Sequence, residues 1–234
     1  LISYTADDEG YAKLPETMKL LTEKLPEGSG EHFAFTHPVE NVNEGLKTAA
    51  QVDYVARCGS FRKSGLAYTG ALKILQVILS YDYLWLNIRV KGGAYGCMSG
   101  FGRSGEGYLV SYRDPNLKET NEIYEGIPEY LRQFNPDDRD MTKYVIGTIS
   151  NMDTPLTPSV KGSRGLSAYL SGVTEEMMQK ERDEVLTATK EDIRALADIV
   201  QAVLDTGSFC VVGNEEKIEA NREMFGSVES LSRA

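Results

Sequence analysis

Arg89 and Tyr95 stand six residues apart in the string Arg89-Val-Lys-Gly-Gly-Ala-Tyr95-Gly. Their types define what they can do. A guanidinium holds carbonyl oxygens through forked hydrogen bonds, and a phenol donates to an oxyanion as it develops. Gly92 and Gly93, between them, leave room for a second backbone to approach closely. Structural roles suit the same residues: Arg89 an ion pair at a helix end, Tyr95 a half-buried strand aromatic with its hydroxyl in water.

Other chemistry finds little support. Gly100-Phe-Gly-Arg-Ser-Gly105 matches a nucleotide-binding glycine pattern as a string. Such loops need a strand leading into a helix, or a following lysine-bearing strand; Gly107-Tyr-Leu-Val-Ser-Tyr follows instead, so a hairpin turn is expected. His37-Pro-Val-Glu-Asn41 resembles a zinc motif with its last ligand replaced. Asn41 stands where the second imidazole is needed, and Pro38 disfavours a helix interior. His32 is the other histidine, and no cysteine pair has ligand spacing, which argues against a metal ligand set in this chain. A Gly-x-Ser-x-Gly elbow is absent, and neither histidine has an evident serine or cysteine partner.

The elements that must position Arg89 and Tyr95 can be read from periodicity. Leu66 to about Ile88 is the most apolar segment and predicts a helix buried nearly all round. Gly92-Gly93 ends it, and Tyr95–Phe101 with Gly107–Tyr112 predicts a hairpin. Upstream, Leu1–Asp7 reads as a strand, Leu14, Met18, Leu21 and Leu25 as a helix stopped at Pro26, and Glu31–Ser60 as two or three strands, at His32-Phe-Ala-Phe and Gln51–Cys58, with Pro38 and Gly45 as punctuation.

Downstream, Asn116 with Glu119 predicts a capping box and Pro128 a kink. Asn135-Pro-Asp-Asp predicts a capped helix through Met152, followed by helices around Ser163–Leu170 and from Gly172 through Leu186. Thr189-Lys-Glu-Asp predicts a second capping box, Phe209-Cys-Val-Val a buried strand, and Asn214 the cap of a last helix ending near Phe225. The order implies an α+β fold with helices on one face of a mainly antiparallel sheet, as a single domain over 1–234.

At 234 residues and 41% hydrophobic, the chain can bury a substantial core. No apolar run approaches the roughly 20 residues that span a bilayer. The formal charge of −10 disfavours nucleic acid and suits cationic partners, or serves solubility alone. Cys58, Cys97 and Cys210 are odd in number and set in apolar surroundings, so buried, reduced thiols are expected, in the cytoplasm or another reducing compartment such as an organelle matrix. Leu1 opens with no basic segment or cleavage site, and a fragment of a longer protein is expected.

Arg89-Val-Lys-Gly-Gly-Ala-Tyr95-Gly, Ser111-Tyr-Arg-Asp-Pro-Asn-Leu, Gln51-Val-Asp-Tyr-Val-Ala, Ile146-Gly-Thr-Ile-Ser-Asn-Met-Asp-Thr-Pro and Tyr169-Leu-Ser-Gly-Val-Thr, continuing to Val211-Val-Gly, together resemble the C-terminal part of presequence proteases. These belong to the pitrilysin/insulinase superfamily of zinc metallopeptidases. The resemblance covers essentially the whole chain. It implies a clamshell of two halves, each of two similar α+β domains, enclosing a chamber that admits unfolded peptides. Zinc sits in the N-terminal half, held by two histidines and a downstream glutamate, with a glutamate base in the inverted motif. The last domain contributes an arginine and a tyrosine, which match Arg89 and Tyr95. This chain lacks the inverted motif, so alone it is expected to be inactive and zinc-free, with the N-terminal half and peptides as partners. The alternative is a separately encoded, catalytically silent subunit that binds peptides or acts as a scaffold.

Overall fold

Strand alternation decides where this fold puts its core. The computed structural model describes residues 2–26, 28, 34–35 and 40–231. They fall into two units, the smaller drawing on Leu1–Val39 and Asp153–Met178, the larger on Glu40–Met152 and Gln179–Ala234.

The larger unit carries a six-stranded sheet of β1 (Glu44–Thr48), β2 (Asp53–Ser60), β3 (Gly96–Phe101), β4 (Glu106–Asp114), β5 (Ser208–Asn214) and β6 (Ser227–Ser230). Their spatial order is β3-β4-β2-β5-β1-β6. β2 is antiparallel to β4 and β5, and β3 to β4, while β1 runs parallel to β5 and β6. Antiparallel pairing dominates, in agreement with the α+β expectation. Val55, Leu109, Ser111, Phe209 and Val211 are buried on one face, whereas Tyr54 and Tyr108 are exposed on the other. A sheet covered on one side has this period of two.

The helices are α1 (Asp8–Lys24), α2 (Ala71–Ile78), α3 (Lys118–Glu125), α4 (Ile127–Arg132), α5 (Asp138–Met152), α6 (Pro158–Ser171), α7 (Glu175–Leu186), α8 (Lys190–Asp205) and α9 (Glu215–Ala220). α8 lies against β2 and β4 and buries Ile193, Leu196, Val200 and Val203, the stripe its periodicity predicts. Its capping box forms: the Thr189 N–H donates to the Asp192 carboxylate at 2.8 Å while the Thr189 hydroxyl oxygen accepts from the Asp192 N–H at 3.3 Å. At Gly59 an added Cβ would stand 1.9 Å from the Val203 carbonyl oxygen, so β2 meets the end of α8 backbone to backbone. In the smaller unit α1 is capped by Asp7, whose carboxylate accepts the Gly10 N–H at 2.8 Å. Thr5 packs close against Gly162 of α6 there. Among the described residues no helix is long and apolar enough to cross a membrane.

Several expectations are corrected. Residues 2–6 form no strand, since no described strand pairs with them to complete a ladder. The apolar segment is not helical over residues 66–70; α2 begins at Ala71, and the helix continues through π-helical turns at Leu79–Tyr83 and Trp85–Lys91. Only α2 is buried nearly all round, and Tyr81, Trp85 and Leu86 beyond it are exposed. Gly45 lies inside β1 rather than between strands, and its lack of a side chain admits Ile218, which an added Cβ would meet at 2.8 Å. Asn116 makes no capping box: its side-chain amide donates to the Gly92 carbonyl at 2.6 Å instead.

The kink expected at Pro128 is a full break at Gly126, with Pro128 in the first turn of α4, where its missing N–H costs nothing. α5 is capped by Asp137, which accepts the Asp140 N–H at 2.8 Å, and not by Asn135, whose side-chain oxygen accepts from Lys190 and Arg194. α6 begins at Pro158, ahead of Ser163. The last helix stops at Ala220, and a short 3-10 turn leads to β6, which the periodicity did not indicate. All three cysteines are free, but none is fully buried: Cys97 and Cys210 are half-buried, and Cys58 is exposed because its strand position turns it to the open face. The strand expected over His32-Phe-Ala-Phe has its first two residues outside the described set, and Ala34 and Phe35 form no regular structure. His37 also lies outside it.

Candidate substrate-binding site around Arg89 and Tyr95

The helix that carries Arg89 ends in a tight reversal. Gly93 takes φ +81°, open to glycine without penalty. Its N–H donates to the Arg89 carbonyl at 3.0 Å, and the Ala94 N–H donates to the Ile88 carbonyl at 3.1 Å. These bonds close a left-handed helix terminus and send the chain directly into β3. The π-helical turns upstream set Arg89 one turn from Trp85, and its guanidinium carbon lies 4.4 Å from the Trp85 ring centre. Stacking on tryptophan holds the guanidinium plane while its edges remain available.

Tyr95 is the residue before β3. Its N–H donates to the Arg113 carbonyl at 3.2 Å, and its side chain is 58% exposed. The Arg89 guanidinium, 5.7 Å from the Tyr95 ring centre, donates to the Tyr95 main-chain carbonyl. The two residues singled out by spacing are therefore in contact. Tyr112 supports the phenol from the side, with ring centres 5.6 Å apart, and itself lies over Gly96.

β4 supplies a residue that the sequence reading did not single out. Ser111 pairs with Val55 and Asp114 with Asp53, so Tyr112 and Arg113 together face Tyr54 across a β-bulge. Arg113 takes φ +48° there, a left-handed conformation unusual for a side chain of this size. Its guanidinium lies 5.5 Å from the Tyr95 ring centre. The available signal was a phase slip: burial at Leu109 and Ser111 requires 113 in that series, yet Asp114 is the buried residue.

Asp114 anchors the bulge. It is fully buried, and its oxygens accept the Asn116 N–H at 2.9 Å and the Thr120 hydroxyl at 2.8 Å. Opposite it, buried Asp53 accepts the Asn214 N–H at 2.7 Å and the Lys217 ammonium at 3.2 Å. Burial raises the Asp53 pKa, which Asn214 and Lys217 counteract and Asp114 reinforces. Cys97 lies behind Arg89 and Tyr95. Burial, with a further contribution from Asp114 and against the pull of Arg89, pushes its thiol up to about 11. A thiol held there stays protonated at neutral pH and is no nucleophile.

Among the described residues no three His, Cys, Asp or Glu side chains converge on a point that could hold a metal ion. What the described residues around Arg89 and Tyr95 offer is hydrogen-bond donors. An open depression of about 490 Å³ between α5 and the start of α8 shares no residue with the Arg89–Tyr95 cluster.

The model of the PreP C-terminal domain matches residues 43–215. The chain belongs to the PreP C-terminal domain family. Arg89, Tyr95 and Arg113 all fall inside the matched PreP region. The chain is similar to Protein HypA of Clostridium perfringens, at 44% identity over 99% of this chain and 24% of that protein. It is similar to Presequence protease 1, chloroplastic/mitochondrial, of Arabidopsis thaliana, at 33% identity over 94% of this chain and 21% of the relative. It thus spans about a quarter of the length of these relatives. Among solved structures, pitrilysin matches with TM-score 0.60 at 12% identity, over 97% of this chain and 25% of that one. The peptidase M16 inactive domain from Pseudomonas fluorescens matches with TM-score 0.60 at 14% identity, over 87% and 51%. At those identities the likeness is one of fold, and it agrees with the α+β sheet of the PreP domain.

Proposed function

We propose that this chain is the C-terminal domain of a zinc metalloendopeptidase that degrades unfolded peptides within an enclosed chamber. Arg89 and Tyr95 are its contribution to an active site whose zinc and glutamate base belong to an N-terminal half. The observation that carries this reading is the contact between Arg89 and Tyr95, both without a carboxylate partner among the described residues, inside a PreP-type domain.

The chemistry follows from the donors. Arg89 spends one N–H on the Tyr95 carbonyl and one face on Trp85, which leaves further N–H groups for the main chain of a bound peptide. The exposed Tyr95 hydroxyl donates to the peptide carbonyl oxygen as it turns tetrahedral, and so stabilises the transition state more than the ground state. The half carrying zinc must close against this domain before either group can act. Exposed Leu20, Leu21, Tyr169 and Leu170 in the smaller unit are apolar surface of the kind that further polypeptide covers.

The test is peptide hydrolysis by the full-length protein that contains this chain. Tyr95→Phe lowers kcat by roughly 10²-fold, the usual cost of one oxyanion donor. Turnover that is unchanged in both Tyr95→Phe and Arg89→Ala would sink the assigned roles.

A further inference from the structure

We propose that Arg113 is a further substrate-binding residue, presented beside Tyr95 to take an anionic group of the peptide, either its C-terminal carboxylate or an Asp or Glu side chain. The proposal rests on the reading that Tyr95 faces bound peptide.

Three observations support it. First, the fold displays Arg113 deliberately. Tyr112 on one side is held over Gly96 and against Tyr95, and Asp114 on the other is buried and bonded to Asn116 and Thr120. With both neighbours fixed, the extra residue of the bulge is extruded at φ +48°. Glycine is the usual occupant of such a position, and a long charged residue there retains strain that its side chain must justify. Second, the guanidinium is unspent. It is exposed and stacked 5.5 Å from the Tyr95 ring centre, and among the described residues it has no carboxylate partner. The adjacent Asp114 is not its partner, because both Asp114 oxygens accept from other groups, the Asn116 N–H and the Thr120 hydroxyl.

Third, two cations share one ring on the surface of an acidic chain. In a protein of net charge −10, two guanidiniums, those of Arg89 and Arg113, stand 5.7 and 5.5 Å from one phenol ring centre, and among the described residues neither has a carboxylate ion-pair partner. Holding two like charges near one ring is unfavourable until an anion arrives. Forked guanidinium donors match a carboxylate in shape and charge. The main-chain carbonyls that Arg89 serves are neutral and leave this charge unmet. An anionic substrate group satisfies it.

The experiment uses the full-length protein and one fluorogenic peptide in four forms: C-terminal acid or amide, and a single internal Glu or Gln. KM is read from hydrolysis and Kd from fluorescence anisotropy of the same peptides. The wild type prefers the charged member of at least one pair by roughly tenfold, the worth of one charge-assisted pair, and which pair shows it identifies the source of the carboxylate. R113G brings that ratio to about one, because it removes the charge at a backbone position glycine accepts freely, and its melting temperature stays at that of the wild type. R113K, which keeps a point charge without the fork, retains part of the preference, and it carries the test should R113G melt lower. Equal affinity for charged and neutral peptides in the wild type, or an unaltered ratio in R113G, overturns the proposal. Loss of hydrolysis with the charge preference kept in binding would instead overturn the peptidase reading and leave the anion site standing.

Discussion

The Arg89 guanidinium donates to the main-chain carbonyl of Tyr95, six residues on, and so ties the last turn of one helix to the entrance of β3. One side chain thereby fixes both the direction of its own remaining donors and the place of the phenol. Arg89 and Tyr95 should behave as a unit. In the full-length protein, Arg89→Ala and Tyr95→Phe combined should cost less in kcat/KM than the sum of the single changes, with a coupling of about 1 kcal/mol or more. Strict additivity in that double-mutant cycle would show that the contact does not organise catalysis.

Replacing Arg89 by lysine separates charge from shape. Lysine keeps the positive charge but lacks the planar fork and stacks less well on Trp85. Steady-state kinetics on one peptide should rank the wild type above Arg89→Lys, and Arg89→Lys above Arg89→Ala, with roughly tenfold between the first two. Equal rates for lysine and arginine would mean that a point charge suffices.

Gly96 and Tyr112 provide a test of how the phenol is supported. A Cβ at Gly96 would meet the Tyr112 hydroxyl at 2.5 Å and its ring at 2.6 Å, so Gly96→Ala must displace the ring. The expected cost is about 1–3 kcal/mol by denaturant unfolding, typical of overpacking. Tyr112→Ala in the same chain should recover part of it, because the obstructing ring is gone. Additive costs would place the strain elsewhere.

Thiol chemistry distinguishes the two sides of the sheet. Cys58 is exposed on the open face, while burial pushes Cys97 up to about 11. A disulfide reagent at pH 7.5 should modify Cys58 in the folded protein well before the half-buried Cys97. The pH dependence has a definite sign. The unfolded thiol ionises near its ordinary value of 9.0, whereas the folded one holds its proton to about 11. The folded state binds more protons across that window, so the contribution of Cys97 is fully present below 9.0 and is lost as the pH rises. Labelling of Cys97 as fast as Cys58 in the folded state would contradict this difference.

The hairpin and the α8 stripe were legible, and Arg89 and Tyr95 could be picked out as candidates, because each rests on local information: residue type, glycine placement, or a period of two or 3.6. Arg113 was not, since a bulge shows in sequence only as a one-residue slip of phase, and positive φ at an arginine has no compositional marker. The caps expected at Asn116 and Asn135 do not form, for a related reason. Both side chains found long-range partners, Gly92 for one and Lys190 and Arg194 for the other, and local capping lost the competition. β6 is short and reads as polar, and only its pairing with β1 makes it a strand.

Lys217 and Asp53 carry the last prediction. The ammonium of Lys217 bonds the buried Asp53 carboxylate at 3.2 Å and the Pro115 carbonyl at 2.7 Å, and so links β2, α9 and the segment after the bulge. Lys217→Met removes the cation and leaves Asp53 ionised in a site with 0% exposure, opposite Asp114. At neutral pH this should cost up to about 3 kcal/mol, below the full penalty of orphaning a buried charge, because the Lys217 side chain is itself 33% exposed and water can take its place. Burial already holds the Asp53 pKa above its ordinary 3.8, and loss of Lys217 raises it further. A carboxyl with a raised folded-state pKa stabilises the fold below 3.8 and loses that contribution as the pH rises through its folded-state value. The deficit of Lys217→Met should therefore be largest at pH 7 and shrink towards pH 4, where Asp53 takes up a proton in place of its lost partner. Urea unfolding of both proteins at the two pH values measures it. A deficit that is constant with pH would show that Lys217 acts through packing and its carbonyl contacts, not through the charge of Asp53.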